Sequence, residues 1–253
     1  MIWLFLKKKE EIMEKANLET TVIIPEKSEI LKAALIELGQ SLGATELGFS
    51  DIECLPENKR LGFNKGITII IRLSDGILNQ IEAEPTQTYF SHYRSVNRLI
   101  DLITLRLLLL LEEHGYPSIA IPASQSVSDP NDAFTGAFQH KTGAVLAGLG
   151  WIGRSALFIH NKFGPRIRMG TVLTNAPLSA GVPTSESSCG SCRVCVTACP
   201  AMAIEGSLWE PGMPRNELYD AFSCSTHMKV AYQHIGRGAV CGLCVVACPI
   251  GQK

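Results

Sequence analysis

Residues 189–200 read Cys189-Gly-Ser-Cys192-Arg-Val-Cys195-Val-Thr-Ala-Cys199-Pro200. The spacing is C-x2-C-x2-C-x3-C-P, by which proteins ligate a 4Fe–4S cluster. Each iron of such a cluster takes one soft thiolate, so four cysteines must surround one compact group. The stretch therefore predicts a small iron–sulfur domain at the carboxyl end of the chain.

A second, shorter run closes the sequence as Cys241-Gly-Leu-Cys244-Val-Val-Ala-Cys248-Pro249. It lacks the first cysteine of the pattern, and Cys224, seventeen residues upstream of Cys241, can supply it. Eight cysteines are the number that two clusters require. The sequence therefore indicates a protein that moves electrons.

The cysteine that precedes proline in such a run ligates the other of the two clusters. The resulting assignment for cluster one is Cys189, Cys192, Cys195 and Cys248. The assignment for cluster two is Cys199, Cys241, Cys244 and, by elimination, Cys224. We expect this crossed arrangement to hold the two clusters close together.

Two other uses of these cysteines fit the spacing less well. Structural zinc favours two separated C-x2-C pairs rather than three cysteines at period three followed by Cys-Pro. Disulfides need an oxidising compartment, and the sequence offers no secretion signal. The ninth cysteine, Cys54, is expected to be a free thiol without a ligand role.

Composition sets limits on the class of protein. The 253 residues carry 23 basic and 24 acidic side chains, so no net positive field indicates nucleic-acid binding. The apolar start, residues 1–6, is too short for a secretory signal or a membrane span, and lysines follow it. We expect a cytoplasmic protein with no membrane contact, whose translation starts at Met1 or Met13.

The remaining pattern predicts an α+β fold in three parts. Helices are expected from Ser28, with a serine cap, to before Gly43, and over 91–113 and 140–149. Strands are expected over 46–50, 66–73 and 118–122, with a hairpin of 156–160 and 168–173. Residues 123–138 form a polar loop and 177–188 a linker. The predicted parts are a tail (1–27), an α+β cofactor or substrate domain (28–180) and a ferredoxin-like double-cluster domain (181–253).

The segment Gly148-Leu-Gly150-Trp-Ile-Gly153 matches G-x-G-x-x-G. Dinucleotide binding requires a strand before this motif, a helix after it and an acid about twenty residues on. Here a helix-like segment precedes it, a strand follows, and residues 170–175 contain no acid. Close packing of backbone on backbone, or on a flat cofactor, is the favoured use of these glycines.

Several features together resemble one known family. They are the segment 147–154, the sequences Leu157-Phe-Ile-His160, Phe163-Gly164 and Gly170-Thr-Val-Leu-Thr174, and the double cysteine run with its remote Cys224. In these residues the chain is similar to the epoxyqueuosine reductase family, over about 28–253.

The resemblance implies a nitroreductase-like α+β domain, similar to cobalamin-processing and reductive-dehalogenase folds. It implies a bound corrinoid beside two 4Fe–4S clusters, an electron donor such as a ferredoxin or flavodoxin, and reduction of an epoxide on a modified tRNA base. Longer members carry a C-terminal helical-repeat region that contributes to tRNA binding. This sequence ends four residues after Pro249, so we expect a small-molecule or nucleoside substrate and regard tRNA as doubtful.

Candidate site residues come from the resemblance and from the chemistry of single residues. The family's proton-donating aspartate precedes the glycine segment; Phe134 stands at the aligned position and Asp132 is the nearest acid. His140 is a second candidate acid, with a structural role as its alternative. Candidate cofactor-binding residues are His92, Tyr93, Lys141, Gly148, Gly150 and Trp151. The alternative for His92 is an exposed position at the start of a helix, and for Lys141 a solvated surface lysine. The alternative for Trp151 is packing in the core. His227 and His234 are expected to tune or cover cluster two.

The sequence thus predicts an iron–sulfur oxidoreductase that passes electrons to a corrinoid. The alternative is a ferredoxin-like electron carrier, or a protein that activates a partner, without a substrate of its own. The large N-terminal domain argues against a pure carrier, although it could serve as a docking module.

Overall fold

The computed structural model describes residues 27–125 and 134–252. A four-stranded antiparallel sheet lies at its centre, in the order β1-β2-β6-β3. Its strands are β1 (Glu46–Asp51), β2 (Lys65–Arg72), β3 (Ser118–Ile121) and β6 (Ile167–Thr174). A separate antiparallel pair consists of β4 (Gly150–Ile152) and β5 (Phe158–His160). The α+β class expected from the sequence is confirmed.

Helices pack against the sheet, and three helices of the C-terminal part include Cys195, Cys224 and Cys244. Helix α1 covers residues 27–41. The others are α2 (Glu57–Arg60), α3 (Asp75–Leu78), α4 (Gln87–Glu113), α5 (His140–Leu146), α6 (Val194–Thr197), α7 (Ala221–Ala231) and α8 (Leu243–Ala247), with a 3-10 turn at Arg215–Glu217. In the two described ranges, no helix combines the length and apolar character needed to cross a bilayer.

Helix α4 is the main support of the sheet. It starts earlier than the predicted residue 91, because the Thr86 side chain caps it by accepting the Tyr89 N–H at 3.1 Å. A stripe of fully buried residues faces the sheet: Ile100, Ile103, Leu107 and Leu111. Gly170 of β6 lies against Ile100, where a Cβ would overlap the isoleucine side chain. The missing side chain therefore lets helix and sheet approach closely.

The two predicted domains share one hydrophobic core. Ile67 and Ile69 of β2 belong to the same cluster of buried residues as Tyr232 and Leu243 from the cysteine-rich part. The boundary between 180 and 181 stays a prediction, and the packing across it is continuous. Burial of this shared surface fixes the cysteine runs relative to the sheet.

The predicted hairpin of 156–160 with 168–173 is wrong. Strand β5 pairs with β4, and β6 lies between β2 and β3. The eight residues of β6 are buried or half-buried on both faces, which a central strand with two neighbours satisfies and a two-stranded ribbon does not. The turn between β5 and β6 led to the prediction that these two strands pair. Because β6 is buried on both faces, it pairs instead with β2 and β3, which are distant in sequence.

The predicted serine cap of the first helix is also wrong. Residue 27 is already helical, so Ser28 lies within α1. Its buried hydroxyl instead donates to the Pro177 carbonyl. Ser28 therefore ties α1 to the start of the predicted linker, a contact between residues distant in sequence.

Candidate iron–sulfur and cofactor site

Electrostatic interactions divide eight thiols, the seven of the two runs and Cys224, into two groups. The first group is Cys189, Cys192, Cys195 and Cys248, and the second is Cys199, Cys224, Cys241 and Cys244. Cys244 also interacts with Cys195, so the groups adjoin. This division is that of the crossed assignment. It supports the assignment, and the ligand role of each cysteine stays a prediction.

The thiols sit in surroundings suited to metal ligation. Burial, followed by neighbouring thiols, raises the pKa of Cys224 to about 11 and raises the pKa of Cys244 as well. Without metal these thiols are protonated at neutral pH, so ligation must displace their protons. In the described ranges no three His, Cys, Asp or Glu side chains converge on a single ion; a cubane instead gives each thiolate its own iron.

Exposure differs among the cysteines. Cys192 is exposed, whereas the other seven of the two groups are half-buried. Cys54 is also exposed, and it precedes β2 in the N-terminal part of the chain. Cys192 therefore marks the side on which the first group comes nearest to solvent.

The glycine segment packs against backbone and against the first cysteine group. A Cβ at Gly148 or Gly150 would overlap a backbone carbonyl oxygen, and one at Gly153 would lie 3.5 Å from the Cys189 Sγ. Helix α5 precedes the segment and β4 lies within it. The context for dinucleotide binding is thus missing, and close packing is the role that the geometry supports.

Arg154, directly after the glycine segment, anchors the first cysteine loop. Its guanidinium donates to the carbonyls of Gly190 and Gly206. Arg193 donates to the same Gly206 carbonyl at 3.1 Å. Gly190 lies between Cys189 and Cys192, so Arg154 holds the loop that positions those thiols. The sequence alone gave no role to Arg154, although its place beside the motif was a signal.

The turn after β5 receives the segment that follows Cys248. Gly164 and Gly251 lie in two backbone segments that face each other closely. A Cβ on either glycine would overlap the backbone of the facing segment. Gly164 has a φ of 57°, which also favours glycine. This contact fixes the last cysteine of the first group against the N-terminal part of the chain.

His160 shapes that turn from inside. Its buried Nδ1 accepts the backbone N–H groups of Lys162 at 3.1 Å and Phe163 at 3.3 Å. Its Nε2 lies 3.2 Å from a Glu46 carboxylate oxygen, and its ring stacks on Phe163 at 4.8 Å. In the sequence, His160 is only one residue of the family pattern. The structure gives it the role of positioning the turn after β5.

His140, a predicted acid, is held at both ring nitrogens. Its Nε2 lies 3.0 Å from the Pro122 carbonyl and its Nδ1 lies 2.8 Å from the Thr171 hydroxyl. The carbonyl can only accept, so Nε2 carries the proton. Burial lowers the pKa of His140 to about 4. The ring is therefore neutral, with both nitrogens engaged, which weighs against the acid role.

Lys141 points to a backbone carbonyl. Its Nζ donates to the Ala156 oxygen at 2.7 Å. Burial, then the Arg215 charge, lowers the pKa of Lys141 to about 8. A lysine in this setting has a desolvated charge that an anionic group would stabilise. Its predicted cofactor-binding role stays a prediction.

The lowered pKa of Lys141 predicts a pH dependence of stability. The unfolded lysine keeps its proton up to 10.5, whereas the folded one releases it near 8. The unfolded state therefore binds more protons between these values, and stability rises with pH across that window. We expect the wild type to gain free energy of unfolding relative to Lys141→Met from pH 8 to 10.5 in anaerobic denaturation. Lys162→Met, at an exposed lysine, controls for the loss of one charge. A difference in free energy of unfolding between wild type and Lys141→Met that stays constant from pH 8 to 10.5 would contradict the prediction.

His92 and Tyr93 lie at the start of α4 with protein partners. The Ser74 N–H donates to His92 Nε2 at 3.1 Å, and burial lowers the pKa of His92. The Arg168 guanidinium lies over the Tyr93 ring at 4.2 Å, a cation–π contact. Their cofactor-binding roles stay predictions.

Trp151 has a buried hydrogen-bond donor without a partner. The residue is 8% exposed, and its buried Nε1 has no hydrogen-bond partner among the described residues. Buried donors are normally paired, so this N–H suits a polar group brought by a ligand. The predicted acid Asp132 lies outside the described residues.

Two adjoining grooves, of about 720 and 780 Å³, run between the 78–87 segment and the cysteine-rich part. Both reach Pro200, which follows Cys199, and one reaches Ala247, which precedes Cys248. The buried Arg166 lines the first groove and donates to Asp75 and Asn79. The lining residues differ from the predicted cofactor residues.

Fold and thiols together define a double-cluster iron–sulfur protein with an α+β domain. Residues 188–251 match the family described as 4Fe-4S double cluster binding domain. The cluster cofactors expected from the cysteine spacing are thereby confirmed at the level of the domain.

The chain is similar in sequence to epoxyqueuosine reductases, as its motifs predicted. It is 34% identical over 131 residues to the epoxyqueuosine reductase of Gloeobacter violaceus, a match covering 47% of this chain and 38% of that protein. The chain thus spans well under half the length of this curated relative.

Solved structures share the fold. A B12-dependent reductive dehalogenase superposes with a TM-score of 0.64 at 18% identity, over 85% of this chain and 31% of that one. An epoxyqueuosine reductase with a tRNA-Tyr epoxyqueuosine-modified stem loop superposes at 0.56 and 18% identity, over 88% and 66%. The expected relation to both folds is confirmed.

Proposed function

We propose that this chain is an iron–sulfur oxidoreductase related in activity to the epoxyqueuosine reductases. Electrons would pass through its two clusters to a corrinoid that reduces the substrate. The observation that carries the proposal is the division of eight thiols into two adjoining groups. These groups are packed onto a sheet of the fold shared with a B12-dependent enzyme.

The cluster domain supplies one-electron transfer, and a corrinoid, when bound, supplies two-electron reduction at low potential. The chain's own residues hold these groups. Arg154 and Gly153 fix the loop of Cys189. Trp151 Nε1 would donate a hydrogen bond to the corrinoid, and Lys141 would balance an anionic group on cofactor or substrate.

We assign the substrate to the nucleoside or small-molecule class. Epoxyqueuosine reductase relatives support a nucleoside, and one related structure holds a tRNA stem loop. The net charge of −1 gives this chain no general attraction for RNA. A ferredoxin or flavodoxin would serve as electron donor, in a reducing compartment such as the cytoplasm, where thiolates persist.

A ferredoxin-like carrier is the second candidate. The exposed Cys192 favours it, because an exposed ligand brings the redox group within reach of a partner. The two candidates differ in whether the chain retains a corrinoid.

The test is anaerobic binding of cobalamin to the reconstituted chain, followed by its absorption spectrum. We expect tight retention with a base-off shift. Trp151→Phe keeps an aromatic ring and removes the N–H, so binding should weaken about tenfold, the equivalent of one hydrogen bond. Trp209→Phe, at a half-buried tryptophan, is the matched control. Absence of retention by the cluster-loaded wild type would favour the carrier.

A further inference from the structure

Arg166 is a buried cation in the wall of the first groove, which has a volume of about 720 Å³. The residue directly precedes β6 and is 4% exposed. Its Nη1 donates to an Asp75 carboxylate oxygen at 3.2 Å and to the Asn79 Oδ1 at 3.1 Å. Its Nε is buried and has no hydrogen-bond partner among the described residues. Asp75 and Asn79 therefore satisfy one nitrogen of the guanidinium, and Nε is left without an acceptor.

The charge of Arg166 is only partly compensated. Asp75 is shared, because the Arg72 guanidinium donates to its other carboxylate oxygen. Two guanidinium groups thus face one carboxylate. Glu82 also lines the groove, but it is exposed, and the described ion pair of Arg166 is with Asp75. Since a buried charge is normally paired, the surroundings of Arg166 suit a further anion.

The rest of the groove limits the size and polarity of what can fill it. Its volume of about 720 Å³ lies within the range of small-molecule sites, about 300–1,000 Å³. Much of its wall is apolar, with Ile81 from the 78–87 segment and Leu243 and Val246 from α8. The groove therefore suits a small ligand that has an apolar body and one anionic end.

We propose that the first groove binds a small ligand through a phosphate or carboxylate group that pairs with Arg166. A guanidinium presents N–H groups in a geometry that matches the oxygens of either anion. The Asn79 side-chain amide nitrogen can donate to the same anion, because its Oδ1 already accepts from Arg166. The apolar body of the ligand would pack against α8.

The ligand would lie beside both groups of cysteines. Two of the lining residues are Pro200, which follows Cys199, and Ala247, which precedes Cys248. The residues that we propose to face the corrinoid are not among the described lining residues of this groove. The groove is thus a second site, and the inference does not rest on the corrinoid part of the proposed function.

Asn79→Asp tests the site while it preserves the fold. Asn79 is exposed, and the substitution keeps the size of the side chain and the oxygen that accepts from Arg166. It supplies a negative charge from the protein itself, so an external anion should be repelled. Asn97 provides the matched control, because its Oδ1 accepts from the Arg168 Nε at 2.9 Å outside the groove. Asn97→Asp therefore adds the same charge beside a different guanidinium.

The experiment is an anaerobic calorimetric titration of the cluster-loaded chain with phenyl phosphate and, separately, with benzoate. No corrinoid is present, and iron is measured on each sample. We expect the wild type to bind at least one of the two anions, and the comparison identifies which oxyanion the site prefers. Binding should weaken at least about tenfold in Asn79→Asp, and likewise when uncharged phenol replaces the anion, the scale of one charge-assisted hydrogen bond. Asn97→Asp should bind as the wild type does.

A wild-type chain with full iron that binds neither anion would overturn this inference. Equal affinity of Asn79→Asp and wild type, an equal loss of affinity in Asn97→Asp, or phenol binding as tight as that of the anions would also overturn it. None of these results bears on the proposed function. That proposal fails instead on the iron content or on the retention of cobalamin, so the two failures are read from different measurements.

Discussion

Cys224→Ser is expected to lower the iron content of the anaerobically purified chain from about eight to about four per molecule, since each cubane carries four irons. Cys224 is half-buried on α7 and interacts with Cys199 and Cys241. Without its thiolate the second group has three cysteines, and one iron loses its ligand. Iron and acid-labile sulfide are measured on the same sample.

Cys54→Ser is the matched control for Cys224→Ser. Cys54 is exposed and stands outside both thiol groups. Its replacement should leave iron at the wild-type value. Full iron in Cys224→Ser would mean that another residue completes the second group, and loss of iron in Cys54→Ser would mean that the grouping is wrong.

Gly164→Ala is expected to cost about 3 kcal/mol or more in free energy of unfolding. Part of the cost is a φ of 57°, which an L side chain rarely adopts. The larger part is overlap of the new Cβ with the Ile250 carbonyl, which forces the backbone after Cys248 to move. Anaerobic denaturant unfolding measures the loss, and we expect part of the iron to be lost as well.

Gly62→Ala separates the two parts of that cost. Gly62 has a φ of 83°, and a Cβ there meets nothing within 4 Å. It should cost only the backbone term, about 1 kcal/mol, with iron unchanged. Equal costs at Gly62 and Gly164 would show that the contact with Ile250 does not hold the cysteine segment.

Local pattern predicted much of the fold. The continuous β-branched run of β2 and the helical period of the apolar residues in α4 are both visible directly in the sequence. The cysteine spacing predicted the double-cluster domain, since ligand geometry leaves few other uses for it. These features depend on residues close together in the chain.

Contacts between distant residues were the part that local pattern missed. The partners of β6 are β2 and β3, and burial on both faces decides that pairing. The role of Arg154 depends on Gly190 and Gly206, which folding brings to it. The chemistry of histidine made His140 a candidate acid. In the structure, both of its ring nitrogens are hydrogen-bonded, one to the Pro122 carbonyl and one to the Thr171 hydroxyl of β6.

The most direct test is the iron and sulfide content of the wild-type chain prepared under strict exclusion of oxygen, with EPR after reduction. Two crossed groups of four thiolates predict about eight irons and eight sulfides per chain, with a spectrum of two interacting clusters. A colourless preparation without iron, or one containing zinc in its place, would contradict the account.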